Sequence, residues 1–142
     1  VYKSDEKILK EHLPSRFTGD RHHSTSIYFL LSGKEFSAFH RIKSDEMWHF
    51  YEGSAIRIHM IDDNGKYSYG IIGRDFDYGE AFQFVVPHGV WFAAEVNDKS
   101  SYALVGCMVA PGFDYEDFEM GERETLIKMF PMQKELIARL SH

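Results

Sequence analysis

Residues 39–53 read FHRIKSDEMWHFYEG. One strand carries His40, the polar run Lys43-Ser44-Asp45 turns the chain, and Glu46 opens a second strand that ends at Glu52-Gly53. Alternation puts Glu46, Trp48 and Phe50 on one face and Met47 and His49 on the other. Paired as a hairpin, the two strands would bring His40 and Glu46 face to face in a barrel interior. A histidine and a carboxylate held in apolar surroundings shift each other's pKa. Such a pair serves either as acid and base or as a satisfied buried ion pair. Lys43 either stays solvated in its turn or reaches the rim of the same pocket.

Working outward, short strands and turns alternate every 8–12 or so residues, the rhythm of sandwiches and barrels. Strands are expected over Ser24–Leu31, Glu35–Ile42, Glu46–Tyr51, Ala55–Ile61, Tyr67–Ile72, Phe82–Val86, Trp91–Val96 and Tyr102–Val109. In Ala55–Ile61, Ile56, Ile58 and Met60 face one way, with Arg57 and His59 on what should be the polar face. Asn64-Gly65 is a hairpin signal, because both residues accept positive φ. Asp75–Glu80 reads as a loop. After Ala110-Pro111-Gly112 the period changes. Glu122–Phe130 and Met132–Leu140 have helical spacing, broken at Pro131. The pattern is a β barrel with short C-terminal helices. No repeat, linker or low-complexity tract interrupts it, so residues 1–142 are expected to form a single domain.

A second constellation is Phe84-Val85-Val86-Pro87-His88-Gly89-Val90-Trp91-Phe92. Pro87-His88-Gly89 reads as a tight turn that launches Trp91 near the barrel mouth. Trp91 is either a core aromatic or a stacking wall for a sugar or base. Gln83, between Phe82 and Phe84, points either into the pocket or into solvent. His22-His23 lie in a polar loop, and His12, His88 and His142 have no assignable partner. No zinc-type Cys/His spacing, glycine-rich phosphate loop or nucleophile elbow is present.

Composition narrows the function classes. The chain is 44% hydrophobic, with twelve Phe, eight Tyr and two Trp to fill a barrel. A net charge of −6 argues against nucleic acid, whose phosphates are met by Lys and Arg. No stretch approaches the roughly 18 consecutive apolar residues of a membrane span, and no basic amphipathic helix suits a membrane surface. Cys107, the only cysteine, lies in an apolar run and reads as a core thiol. Without a disulfide the chain fits a reducing, cytoplasmic compartment. It opens on Val1-Tyr2-Lys3, which reads as the middle of a strand, so a short N-terminal segment is expected to be missing.

The two constellations resemble the two cupin motifs. The first asks for His-x-His, three or four residues, Glu, six residues and Gly. His40, Glu46 and Gly53 fit, but the second histidine position is Ile42. The second asks for Pro-x-Gly, two residues and His. Pro87 and Gly89 fit, but the last position is Phe92. Of four usual ligands two remain, rarely enough for a transition metal, so a metal-free pocket without cofactor is expected. STSIYFLLSGKEFSAFHRIKSDEMWHFYEG, FVVPHGVWFAAE and VGCMVAPGFDYEDFE resemble the DUF985 (Cupin_5) branch, described as predicted sugar epimerases of the cupin type. Phe92 stands where that branch commonly has Gln.

The resemblance implies a double-stranded β-helix jelly roll, usually a homodimer, similar to the metal-free sugar-nucleotide epimerases. Those enzymes use a histidine base and a tyrosine acid. His40 matches the base, and Tyr28 and Tyr69 are candidates for the acid. The leading expectation is a metal-independent epimerase or isomerase of a sugar or nucleotide sugar. His40 would take the proton, Glu46 would orient it, and Trp48, Trp91, Gln83, Lys43 and Tyr28 would contact the ligand. A non-catalytic binding module is the alternative. A metal-dependent oxygenase or decarboxylase is a third, and would need Gln83 or His49 as further ligands.

Overall fold

The computed structural model describes residues 1–142. Its strands are β1 (Tyr2–Lys3), β2 (Lys7–Ile8), β3 (Arg21–His22), β4 (Thr25–Ser32), β5 (Phe36–Arg41), β6 (Asp45–Gly53), β7 (Ile56–Ile61), β8 (Tyr67–Ile72), β9 (Gln83–Val86), β10 (Trp91–Val96), β11 (Tyr102–Ala110) and β12 (Glu119–Met120). Two helices follow, α1 (Arg123–Met129) and α2 (Lys134–Arg139). The long strands fall within a residue or two of the positions read from alternation. Two-residue strands such as β12 carry too few residues to show a period.

The strands form two five-stranded antiparallel sheets, ordered β1-β4-β11-β6-β9 and β12-β5-β10-β7-β8, with β2 and β3 as a separate pair. The expected hairpin between β5 and β6 does not form. The two strands lie in opposite sheets, and Ile42–Ser44 carries the chain across. Apolar alternation fixes which face of a strand is inward, but not which strand it pairs with. The link is held to another connection between the sheets, the turn from β9 to β10. Gly89 N–H donates to the Ile42 carbonyl at 2.8 Å, and His88 N–H donates to Asp45 Oδ1 at 2.8 Å. The two sequence constellations therefore meet at one end of the barrel.

The β7–β8 turn also differs from expectation. Gly65 has φ +78°, but no non-glycine residue has positive φ, so Asn64 does not. The Asp62 carboxylate accepts from the backbone N–H of Asn64 and Lys66, each at 2.9 Å. That local side-chain capping holds a longer turn in which glycine alone takes the left-handed position.

Inward side chains of both sheets, including Leu31, Trp48, Phe50, Ile56, Ile58, Val86, Phe92 and Val105, build the main core. A second core lies outside the barrel. There Phe39, Ile61, Trp91 and Ala93 of the second sheet pack on Leu126, Phe130, Ile137 and Leu140. The C-terminal helices thus cover a sheet face, and the supposedly polar face of β7 is buried. His59 is only 4% exposed. It is satisfied there: Nε2–H donates to Glu95 at 2.7 Å, and Nδ1 accepts from the Tyr67 hydroxyl at 2.7 Å. Burial opposes ionisation of Glu95. Hydrogen bonds from Arg139, Lys99 and His59 prevail and hold its carboxyl down at about 2. Arg139 lies on α2 and reaches Glu95 at 2.6 Å, so this cluster ties the helix to the sheet.

Ile137 is fully buried in the outer core. Ile137→Ala is expected to cost about 2–5 kcal/mol, the usual range for truncating a closed site. Tyr78→Ser, on an 80% exposed side chain, should stay within roughly 0.5 kcal/mol. Urea denaturation of both variants measures the contrast.

Candidate functional site

At the end where the crossing links meet, the barrel is not filled. A cavity of about 640 Å³ opens there, lined mostly by apolar side chains. That volume lies within the range of small-molecule sites. Exposure along β4 traces its depth: inward Leu31 is 4% exposed, whereas inward Ile27 is 41% exposed. His40, Glu46 and Trp48 all line the cavity. The first two face it from opposite sheets rather than across a hairpin.

His40 sits at the end of β5, opposite Phe92 of β10. Its ring packs on Phe92 at 4.1 Å and lies 5.4 Å from Phe118, centroid to centroid. Nδ1 lies 2.7 Å from the Ala38 carbonyl. A carbonyl only accepts, so Nδ1 carries the proton and Nε2 is left with a free lone pair in the neutral ring. Burial pushes the imidazole pKa down, which favours that neutral form.

Glu46 opens β6. Burial pushes its carboxyl up to about 7, against a weaker opposing hydrogen bond with the Cys107 thiol. On β11, Cys107 pairs with Trp48 and Val109 with Glu46, so thiol and carboxyl are diagonal neighbours on one face. The thiol is pushed up strongly by burial and by Glu46 itself, so it stays protonated near neutral pH. Trp48 closes the floor at 2% exposure, and its indole N–H has no acceptor.

The rim comes from the segment Phe113–Phe118, which in the sequence carries only a family resemblance. Phe113, Asp114, Tyr115 and Phe118 line the mouth. This loop is anchored from below by a buried ion pair. Arg21 Nε and Nη2 donate to the two carboxylate oxygens of Asp117, each at 2.8 Å, with both side chains at or below 3% exposure. Phe113 N–H donates to Thr25 Oγ1 at 2.8 Å, and Gly112 N–H to the His22 carbonyl at 2.7 Å. The only signal for this in the sequence was the density of aromatic and acidic residues over Phe113–Phe118.

The other expected ligand contacts lie elsewhere. Trp91 points out of the barrel into the outer core, 3% exposed, with Arg41 4.5 Å above its ring. Strand parity explains the error: adjacent residues face opposite ways, and Phe92 is the one that faces in. Gln83 is exposed on the outer face of β9. Tyr28 is 80% exposed on the outer face of β4, against Tyr51, and Tyr69 stacks near Tyr67 on β8. Lys43 does not line the cavity, and its carbonyl accepts from Arg16. A metal finds no donor set here. Ile42 and Phe92 fill two of the four usual ligand positions, and no three His, Cys, Asp or Glu side chains converge.

Two facing antiparallel sheets in jelly-roll connection, with a cavity at one end, define a cupin. The chain belongs to the Cupin_5 (DUF985) family of the cupin superfamily, whose family model matches residues 1–121. It is 31% identical to the Saccharomyces cerevisiae protein YML079W over 110 residues, 73% of this chain. The match covers 54% of the yeast protein, so the chain spans about half of that relative's length. It is similar to protein SO0799 of Shewanella oneidensis, with 40% identity, TM-score 0.88, and 99% and 83% of the two chains covered. A hypothetical protein from Leishmania major is similar at 30% identity, TM-score 0.89, and 100% and 86% coverage. A dTDP sugar isomerase from Desulfovibrio desulfuricans shares the fold at 11% identity and TM-score 0.60, covering 91% and 86%.

The Glu46 carboxyl gives the site a measurable signature. Its pKa is 4.5 when solvated and about 7 when folded. Between those values the unfolded chain releases the proton while the folded chain keeps it. Stability therefore falls as pH rises from 4.5 to 7, by an amount on the order of 3 kcal/mol. His40 acts in the opposite sense, losing stability as pH drops below its solvated value of 6.5. Glu46→Gln should match the wild type at pH 4 and exceed it at pH 8, as read by urea denaturation. Identical curves at pH 8 would mean that the carboxyl is solvated.

Proposed function

We propose that the cavity binds a small carbonyl compound of the sugar or nucleotide-sugar class. There His40 and Glu46 carry out metal-independent proton transfer, an epimerisation or isomerisation. One observation carries this reading: a neutral histidine with a free Nε2 and a carboxyl with pKa about 7 line the same apolar cavity. His40 Nε2 takes the proton from the carbon beside the carbonyl. The electron pair moves onto the carbonyl oxygen, which receives the Glu46 proton. Inversion follows when Glu46 recovers the enol proton, solvent protonates the carbon from the opposite face, and His40 gives its proton to solvent. Isomerisation follows when His40 delivers its proton to the former carbonyl carbon and Glu46 takes the proton of the neighbouring hydroxyl. Both groups are in the required form between the lowered His40 pKa and about pH 7, so the rate should be bell-shaped in pH.

Non-catalytic ligand binding is the second reading. It draws on the placement of Tyr28 and Tyr69 outside the cavity; the tyrosine that lines it, Tyr115, stands 82% exposed at the mouth. Thermal-shift screening of sugars, nucleotide sugars and keto acids, with and without EDTA, separates the readings. A ligand at a hundred times its Kd adds roughly 2.7 kcal/mol. The catalytic reading expects solvent deuterium to enter that ligand with wild-type protein and not with His40→Ala. Equal binding by both proteins without exchange would leave a binding module. Shifts by metals alone, reversed by EDTA, would sink the metal-free assignment.

The protein is further proposed to work as a homodimer, in the reducing cytoplasm that suits the lone thiol. The outer face of the first sheet presents Tyr28, Leu30, Tyr51 and Met108, and no helix covers it. Light scattering should give twice the chain mass for wild type and the chain mass for Leu30→Asp. A wild-type monomer at micromolar concentration would remove the dimer.

A further inference from the structure

We infer that the ligand is an unphosphorylated sugar, an uncharged ring seated by its C–H face on the aromatic rim. The inference rests on the reading of the cavity as a ligand site and specifies what enters it. Phe113, Tyr115 and Phe118 form a mutually packed set with centroid separations of 5.1, 6.3 and 6.4 Å. Phe118 also meets the His40 ring at 5.4 Å, so the set leads from the mouth to the basic nitrogen. Tyr115 is 82% exposed, which leaves most of its surface free to be covered by a ligand. The set is not a loose flap. The Arg21–Asp117 pair, Thr25 and the Thr18 hydroxyl, which donates to Glu116 at 2.9 Å, hold its backbone from beneath. A preformed aromatic surface loses little freedom when a flat apolar face settles on it.

Charge decides against a phosphate or diphosphate. Lys3 is the one cationic side chain that lines the cavity, and Asp114 and Glu46 line it too. Arg21, the one buried arginine, is fully engaged by Asp117, with Asp114 and Glu116 beside it. Phosphate recognition draws on free Arg or Lys donors or a helix N-terminus. Neither α-helix contributes a lining residue here. Hydroxyl groups, by contrast, find neutral partners in Thr25, Ser26 and Ser37.

Saturation-transfer NMR tests the inference with D-glucose, D-fructose and D-mannose, their 6-phosphates, and UDP-glucose. At least one free hexose should bind, with saturation strongest on its ring C–H protons and its 6-phosphate at least tenfold weaker. Tyr115→Ala, at a side chain 82% exposed, should weaken that hexose about tenfold while far-UV circular dichroism is unchanged. Binding of a phosphate or UDP-glucose as tight as the free hexose, no binding by any free hexose, or no effect of Tyr115→Ala would each overturn it. A hexose that binds in this way without deuterium exchange would uphold the inference and sink the catalytic reading. Deuterium exchange into a nucleotide sugar that carries a ring ketone would do the reverse.

Discussion

Every long strand of this protein must bury one face inside a barrel too short of large side chains at one end to fill it. At the closed end Leu31, Ile56, Val96 and Ala103 meet with almost no exposed surface. At the open end the inward positions are Ile27 and Cys107 on two of those strands and His40 and Glu46 on β5 and β6, and space remains between them. The hydrophobic gain of the closed end stabilises the sheets. The open end inherits their rigidity without their packing. A cavity in such a position holds its lining side chains in fixed rotamers before any ligand arrives, which is the condition for using them chemically.

The same constraint sets the electrostatics. Glu46 and His40 stand where water is scarce, and each is driven toward its neutral form, the carboxyl upward and the imidazole downward. The chain treats its other buried charges differently. Glu95 and Asp117 are met by cations at hydrogen-bonding distance, Glu95 by Arg139 and Lys99 and Asp117 by Arg21. Those charges hold helix α2 and the rim loop in place. Paired buried ions thus do the positioning, while the unpaired buried groups are left facing the cavity. That division separates site from scaffold more clearly than residue type does.

Much of this was legible in the sequence. Alternation located the eight long strands, the change of period after Pro111 located the helices, and parity correctly grouped Glu46, Trp48 and Phe50. The resemblance to the cupin motifs picked out His40 and Glu46, which line the cavity. Three kinds of statement failed. The hairpin between β5 and β6 failed because sequence neighbours need not be sheet neighbours. Trp91 failed by one residue of parity, since Phe92 took the inward place. The polar face of β7 failed because a later helix came to cover it.

The class of fold, the inward face of most long strands, and a histidine and glutamate at matching family positions could be read from the chain alone. Those features are local or periodic, and a period of two is visible in a single chain. Only the tertiary structure decided which strands pair and that His40 and Glu46 look at one cavity from opposite sheets. Only it placed an aromatic loop from residues 113–118 at the cavity mouth, fastened by an arginine nearly a hundred residues earlier. Contacts across that distance depend on which faces close against each other. No local pattern in the chain encodes that closure.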